Sequence, residues 1–229
     1  MKRHFWLAFW AGLLPILVVN IVFTINIQQG LNACFPYWEG CMSVSRGMRS
    51  GPGLLLFKLQ APVSAALMWM TWRSLPQWPW SHPSLSTQLW WVSRLGMAGS
   101  LFFVVYALWL GTDGEIYRWL RRYGVVFYFS MTGLAHLLLW AKISRYETKK
   151  LPAQHVYGVV VILTWVTGIG SAFKRKLIDD PLFLDRVENA LEWNFALFLS
   201  LAFVALAFVR RSLERQPDNS SQTSVSGQK

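Results

Sequence analysis

The chain has 229 residues, of which 54% are hydrophobic and only 14% are charged, well below the roughly one quarter that is typical of a soluble domain. Two cysteines are too few for a disulfide-rich secreted scaffold, and the excess of large apolar side chains excludes a disordered chain. The net charge of +11 is divided among several short polar segments and forms no basic stripe, so nothing indicates nucleic-acid binding. The composition is that of a membrane protein.

Six apolar runs, each about 20 residues long, follow one another along the chain. A helix needs about that length to cross the hydrocarbon core, and it pairs its own backbone groups, which lipid cannot do. The sequence therefore predicts an all-α polytopic membrane protein, a bundle of six transmembrane helices within residues 1–211. The predicted spans are 5–27, 54–72, 89–110, 123–143, 154–173 and 191–209. The polar segment 212–229 is predicted to be a disordered tail.

The basic residues next to the first and last spans set the expected orientation. Lys2 and Arg3 precede the first span and the pair 210–211 follows the last, so both termini are predicted to be cytoplasmic. The first apolar run is longer than that of a signal peptide, which favours a retained helix. Residues 31–34 (Leu-Asn-Ala-Cys) resemble a bacterial lipobox, so cleavage and lipidation at Cys34 is the alternative.

The connection between the first two spans, residues 28–53, is long for a compact protein, and loops of this length are often functional. It contains Cys34 and Cys41 and lies outside the cell on the predicted topology. On an oxidising face the two cysteines would form a disulfide and close a small loop. The alternative is two unpaired thiols in an ordinary loop.

A polar layer is predicted near the outer ends of the second and sixth spans. Glu188 and Glu192 are four residues apart and share one helix face, and Lys58 lies about 6 Å inside the second span at 1.5 Å per residue. Because Lys58 and Glu192 have similar depth, we expect them to pair, with Arg46 and Arg49 adding positive charge. Such a group would bind a lipid head group, with Lys58 on its phosphate and Glu192 either orienting it or acting as the acid or base. In the alternative, Lys58 extends to the interface and the glutamates are solvated.

His136 lies deep in the fourth span and is the second catalytic candidate. A neutral histidine among helices can relay protons or form a hydrogen bond between helices, and the latter is the simpler interpretation. Arg94 is expected at comparable depth, where its charge would keep His136 neutral. The estimated depths of His136 and Glu192 differ by about 15–20 Å, which argues against a catalytic dyad.

The order of several short motifs resembles a known six-helix membrane family. After Cys34 come residues 43–47 (Ser-Val-Ser-Arg-Gly), 57–62 (Phe-Lys-Leu-Gln-Ala-Pro), 133–138 (Gly-Leu-Ala-His-Leu-Leu) and 191–193 (Leu-Glu-Trp). In this order they resemble the family of damage-regulated autophagy modulators (DRAM), suppressor-of-four-kinase and FGF-receptor-activating-protein-like proteins. The nearest branch is the one of GPI-anchor lipid remodelling, which includes the N-terminal part of the calcofluor-white-hypersensitive protein.

The resemblance implies a role in membrane lipid metabolism. In the GPI-remodelling branch this role is fatty-acid remodelling of the lipid anchor in the secretory pathway, whereas other branches resemble regulators or scaffolds. The second cysteine, Cys41, departs from that branch. We expect a bacterial relative in the inner membrane, with another lipid in place of a GPI anchor. A eukaryotic chain would lie in the Golgi, the ER or the plasma membrane.

Three hypotheses about function follow. The first is handling or remodelling of a membrane lipid, in its head group or acyl chain, at the outer leaflet. The second is a non-catalytic scaffold or regulator that binds a protein partner. The third is a small transporter, which the absence of inverted repeats in the sequence disfavours. The sequence shows no spacing typical of metal ligands and no phosphate loop, so we expect neither metal nor cofactor, and whether the chain is an enzyme stays open.

Overall fold

The computed structural model describes residues 2–31, 33–49, 51–80, 82–146 and 151–215, and within these ranges all regular structure is helical. The long helices are α1 (Lys2–Gln28), α4 (Gly51–Ser74), α5 (Pro83–Trp109), α6 (Glu115–Tyr146), α7 (Pro152–Leu177) and α8 (Pro181–Glu214). Two one-turn helices, α2 (Pro36–Glu39) and α3 (Val44–Gly47), lie between α1 and α4, and a 3₁₀ turn at Leu75–Gln77 follows α4. The predicted all-α class is confirmed.

The six long helices are each apolar and long enough to cross a membrane, which confirms the predicted number of membrane-length helices. The architecture is therefore that of an integral multi-pass membrane protein. Most helices extend beyond their apolar runs, because helical hydrogen bonding continues into the polar flanks. The extension is largest at α8, which begins ten residues before the predicted sixth span, with Asp180 as its N-cap and Pro181 as its first residue.

The C-terminal boundary of the bundle differs from the prediction. Residues 212–214 continue α8, although the sequence places them in the disordered tail. Arg210 Nη2 forms an ion pair with Glu214 Oε1, four residues further along the helix, at 2.9 Å. This pair joins the last two turns and accounts for the extension. The remainder of the predicted tail, residues 216–229, lies outside the described residues.

The helices form a closed ring. Each long helix packs against its neighbour in chain order, and α8 packs against α1. The interface of α6 with α7 is much smaller than that of α5 with α6, so the ring has its smallest helix–helix contact there. Six crossings place both ends of the bundle on one side, here called the terminal side, and the connection between α1 and α4 on the other, the loop side. Which side faces the cytoplasm stays a prediction.

Glycines permit the closest helix contacts in the ring. A Cβ atom at Gly12 in α1 would lie 2.2 Å from the carbonyl oxygen of Ser200 in α8. One at Gly96 in α5 would lie 2.2 Å from the ring of Trp72 in α4. Close packing of this kind supplies much of the association energy of membrane helices, since lipid is as apolar as the side chains.

Candidate functional site: a cavity beneath the disulfide loop

The connection between α1 and α4, residues 29–50, is here called the disulfide loop. The structure joins Cys34 to Cys41 in a disulfide that encloses α2, which confirms the predicted bond. The one-turn helices α2 and α3 give the loop more structure than the sequence predicted. Their formation is local: Pro36 begins α2, and the Ser43 hydroxyl accepts a hydrogen bond from the backbone N–H of Arg46 to cap α3.

We expect the disulfide to stabilise the docked loop by about 2–3 kcal/mol, the loop-closure value for a ring of this length. Reductant should therefore lower the melting temperature of the detergent-solubilised protein. The double variant Cys34→Ser/Cys41→Ser should melt at that lower temperature with or without reductant. Mass measurement after alkylation of unreduced membranes is the direct check, and two alkylated thiols there would contradict the bond.

The disulfide loop is fastened to the first half of α8. Three α8 side chains donate to backbone carbonyl oxygens of the loop. These bonds run from Asn189 to Gly40 (2.9 Å), from Trp193 to Met42 (2.7 Å) and from Asn194 to Tyr37 (2.7 Å). Gly40 has a φ of +58°, and a Cβ atom there would lie 1.8 Å from the carbonyl oxygen of Arg186. Loop and helix backbones are thus in direct contact.

A fourth hydrogen bond links the loop to Glu192. The backbone N–H of Ser45 donates to Glu192 Oε1 at 3.0 Å. The predicted ion pair of Lys58 with Glu192 is wrong, because Lys58 belongs to none of the ion pairs among the described residues. Helix α1 lies between α4 and α8, and Phe57 faces the interior. Lys58 is the next residue and points about 100° away from Phe57 around α4, so it does not face the interior.

The other predicted head-group ligands lie on the loop side, where Arg46 and Glu188 form separate ion pairs and Arg49 is exposed. Arg46 Nη2 lies 3.5 Å from Asp185 Oδ1, and both side chains are more than half exposed. Lys174 Nζ, which is nearly buried, lies 3.0 Å from Glu188 Oε1. Exposed pairs contribute little to stability, so Arg46 remains available to an incoming anion at small cost. These charged residues thus form separate local ion pairs, and a shared head-group site stays a prediction.

A cavity of about 60 Å³ lies in the bundle interior beneath the disulfide loop. Its walls come from five long helices, all except α7, and from the loop. Most of the lining is aliphatic or aromatic. The polar lining residues are Tyr37, Tyr106, Tyr128, Glu192 and Ser200. The volume would hold a few water molecules or a short stretch of an acyl chain, and Glu192 is the one carboxylate among the lining residues.

Tyr106 and Tyr37 bring polar groups to this cavity. Tyr106 and Glu192 both line the cavity, whereas Arg49 does not. The Tyr37 hydroxyl accepts a hydrogen bond from Asn20 Nδ2 at 2.9 Å. Burial raises the Tyr37 pKa and this hydrogen bond partly offsets the increase, so the phenol is neutral at physiological pH.

His136 lies outside the cavity, at the centre of the bundle. Its Nδ1 is 2.9 Å from the hydroxyl of Tyr157, and the rings of Trp72 and Phe203 pack against it. Its Nε2 has no hydrogen-bond partner among the described residues. Phe203 is eleven residues beyond Glu192 on α8, a separation of about 16 Å. The two catalytic candidates therefore lie at different levels and do not form a dyad, and a catalytic role of His136 stays a prediction.

The expected approach of Arg94 to His136 is wrong. Arg94 is exposed, and its Cζ lies 3.5 Å from the ring centroid of Trp90 on the same helix. This cation–π contact keeps the guanidinium on the outer face of α5. Equal depth along two helices does not make two side chains face each other.

Sequence reasoning missed the α8 side chains that hold the loop. Asn189 and Trp193 are four residues apart, so they share a face, and Asn194 follows directly. Polar side chains on one face at the entrance of an apolar helix were the available signal. The carbonyl oxygens they bind could not be identified, since backbone acceptors leave no mark in a sequence.

No protein-family model, no curated protein and no solved structure matches this chain.

Proposed function

We propose that the protein binds a membrane lipid on the loop side, with a segment of acyl chain in the interior cavity and the head group beside the disulfide loop. The observation that carries the proposal is the cavity itself: an apolar space inside a membrane bundle, with a single carboxylate, under a docked loop. Small-molecule sites are commonly apolar cavities with a few polar groups that fix orientation. Arg46, Arg49 and Lys58 supply positive charge on this side.

In this proposal Glu192 has a double role. Its Oε1 accepts a hydrogen bond from the loop backbone, which fixes the carboxylate at the cavity wall. The Ser45 side chain also interacts with this carboxylate. In the proposal, the carboxylate accepts a proton or a hydrogen bond from a lipid head group. If Glu192 also acts as an acid or base on that head group, the protein would chemically remodel the lipid that it binds. The resemblance to the GPI-remodelling branch agrees with such chemistry and stays a prediction.

The alternative is a non-catalytic scaffold, which one surface feature favours. Trp38 on α2 is 86% exposed, and Phe35 beside it is also exposed. Large apolar side chains presented together are common at protein interfaces. A transporter is disfavoured because the rings around His136 fill the bundle centre one helical turn below the cavity.

Two adjacent valines on α6 test the cavity. Val125 lines it, whereas Val126 is exposed on the outer face. Val125→Trp should fill the cavity and abolish retention of the loop-side lipid during purification, and Val126→Trp should retain it as the unmodified protein does. Mass spectrometry of co-purified lipids measures the difference. Equal retention by both variants would refute the proposal.

Glu192→Gln separates binding from remodelling. Glutamine keeps an acceptor for the Ser45 N–H, so folding and loop docking should persist. If Glu192 acts on the lipid, cells carrying this variant should show the lipid profile of a deletion strain, whereas cells carrying Val126→Trp should not. Lipidomics of the three strains is the measurement. An unaltered profile in the deletion strain would favour the scaffold.

A further inference from the structure

A second space opens sideways between α6 and α7 on the terminal side, here called the α6–α7 groove. Its volume is about 330 Å³. It is lined on α6 by Trp140 and Ser144, and on α7 mainly by Gln154, His155, Val159 and Ile162. It shares no lining residue with the loop-side cavity. It lies at the smallest interface between neighbouring long helices of the ring.

The α6–α7 groove changes from polar to apolar with depth. Gln154 and His155 lie in the first turn of α7, whereas Val159 and Ile162 are about 8 and 12 Å further along the helix from Gln154. Ser144 lies near the C-terminal end of α6, at the same polar level. A groove that is polar at the interface and apolar towards the membrane centre matches the head group and chain of a lipid.

Gln154 carries an unused hydrogen-bond donor at this polar level. The residue is only 7% exposed. Its Oε1 accepts a hydrogen bond from the backbone N–H of Leu151 at 3.4 Å, but its Nε2 has no partner among the described residues. A buried donor without an acceptor is unfavourable, so the position calls for an acceptor oxygen from outside the chain.

The electrostatics of the terminal side favour an anion. Among the described residues at the helix ends of the terminal side, positive charges exceed negative ones. Glu214 is the one glutamate described there, and the lysines and arginines are more numerous. They are Arg73, Lys142, Arg145, Arg210, Arg211 and Arg215. The N-terminus of α7, where Gln154 and His155 lie, adds the positive end of a helix dipole. A phosphodiester would supply both the acceptor oxygens and the negative charge.

We propose that the α6–α7 groove binds one anionic glycerophospholipid of the leaflet on the terminal side. Its phosphate oxygens would accept hydrogen bonds from Gln154, Ser144 and His155, and one acyl chain would lie against Val159 and Ile162. This site goes beyond the proposed function, because it lies at the opposite end of the bundle and its lining residues are different. Its occupant would tie α6 to α7 where their direct contact is small.

The test uses two tryptophan variants of α7 in nanodiscs. Ile162 lines the groove, and Val166, one turn further along, does not, although both are about half exposed. Ile162→Trp should weaken retention of phosphatidylglycerol in native mass spectrometry by about tenfold. Gln154→Leu should do the same, and Val166→Trp should leave retention unchanged. The melting temperature of the unmodified protein should be higher in phosphatidylglycerol than in phosphatidylcholine, and the two groove variants should lose this difference.

Three results would overturn the inference. They are undiminished phosphatidylglycerol retention in Ile162→Trp, equal stabilisation by phosphatidylcholine, and full stabilisation by inorganic phosphate or glycerol phosphate alone. The last would indicate a free-phosphate site. The variant Val125→Trp keeps the two proposals separate, since it should remove the loop-side lipid and leave phosphatidylglycerol retention in the α6–α7 groove intact.

Discussion

Alanine at Gly96 and alanine at Gly133 should shift the stability of the bundle in opposite directions. A Cβ atom at Gly96 would lie 2.2 Å from the ring of Trp72, and that ring is fully buried between α5, His136 and Phe203. Since the indole has no room to move, we expect a loss of about 3 kcal/mol in unfolding free energy, at the upper end of overpacking costs.

Gly133 provides the matched control. It also lies inside a helix, but a Cβ atom there would have no neighbour within 4 Å. Alanine should therefore raise stability by up to about 1 kcal/mol through its better helix propensity. Thermal unfolding of both variants in the same detergent measures the two shifts. If Gly96→Ala were as stable as Gly133→Ala, the close contact of α4 with α5 would be wrong.

Trp193→Ala should release the disulfide loop from α8, whereas Trp38→Ala should not. The Trp193 side chain is 1% exposed, donates to Met42 O and packs against Phe23 and Tyr37. Its removal leaves a large cavity and an unpaired carbonyl group, which together cost about 3–5 kcal/mol. Trp38 is exposed, so its loss should change unfolding free energy by no more than about 0.5 kcal/mol.

Thermal unfolding and hydrogen exchange of the loop amides check this second prediction. Trp193→Ala should accelerate exchange between residues 36 and 47, and Trp38→Ala should leave it unchanged. An unchanged exchange pattern in Trp193→Ala would show that the other hydrogen bonds suffice to dock the loop. The comparison is clean because both changes remove the same indole.

The six spans were predictable because their cause is local. A run of about 20 apolar residues is the length that the bilayer demands, whatever the helices pack against. The different levels of His136 and Glu192 were predictable for a similar reason, since the rise per residue converts position into depth. The pairing of Cys34 with Cys41 followed from their short separation within one loop.

The lateral relations were not predictable. The expected contacts of Lys58 with Glu192 and of Arg94 with His136 rested on equal depth, and both failed because depth says nothing about rotation around a helix axis or about which helix is adjacent. Each residue turns the side-chain direction by about 100°, so a neighbour in sequence faces elsewhere. The α6–α7 groove was missed likewise, since it results from a small interface between two helices.

The position of α8 in the ring has a consequence for biosynthesis. The hydrogen bonds that fasten the disulfide loop to α8 join residues 147 to 157 positions apart, and α8 is synthesised after α1 to α7. The disulfide joins residues only seven apart and can close while translation continues. A nascent chain that lacks α8 therefore carries an oxidised loop that Asn20 and Asn26 of α1 can bind but that has none of its hydrogen bonds to α8. Addition of α8 then completes the cavity wall and places Glu192 against the disulfide loop.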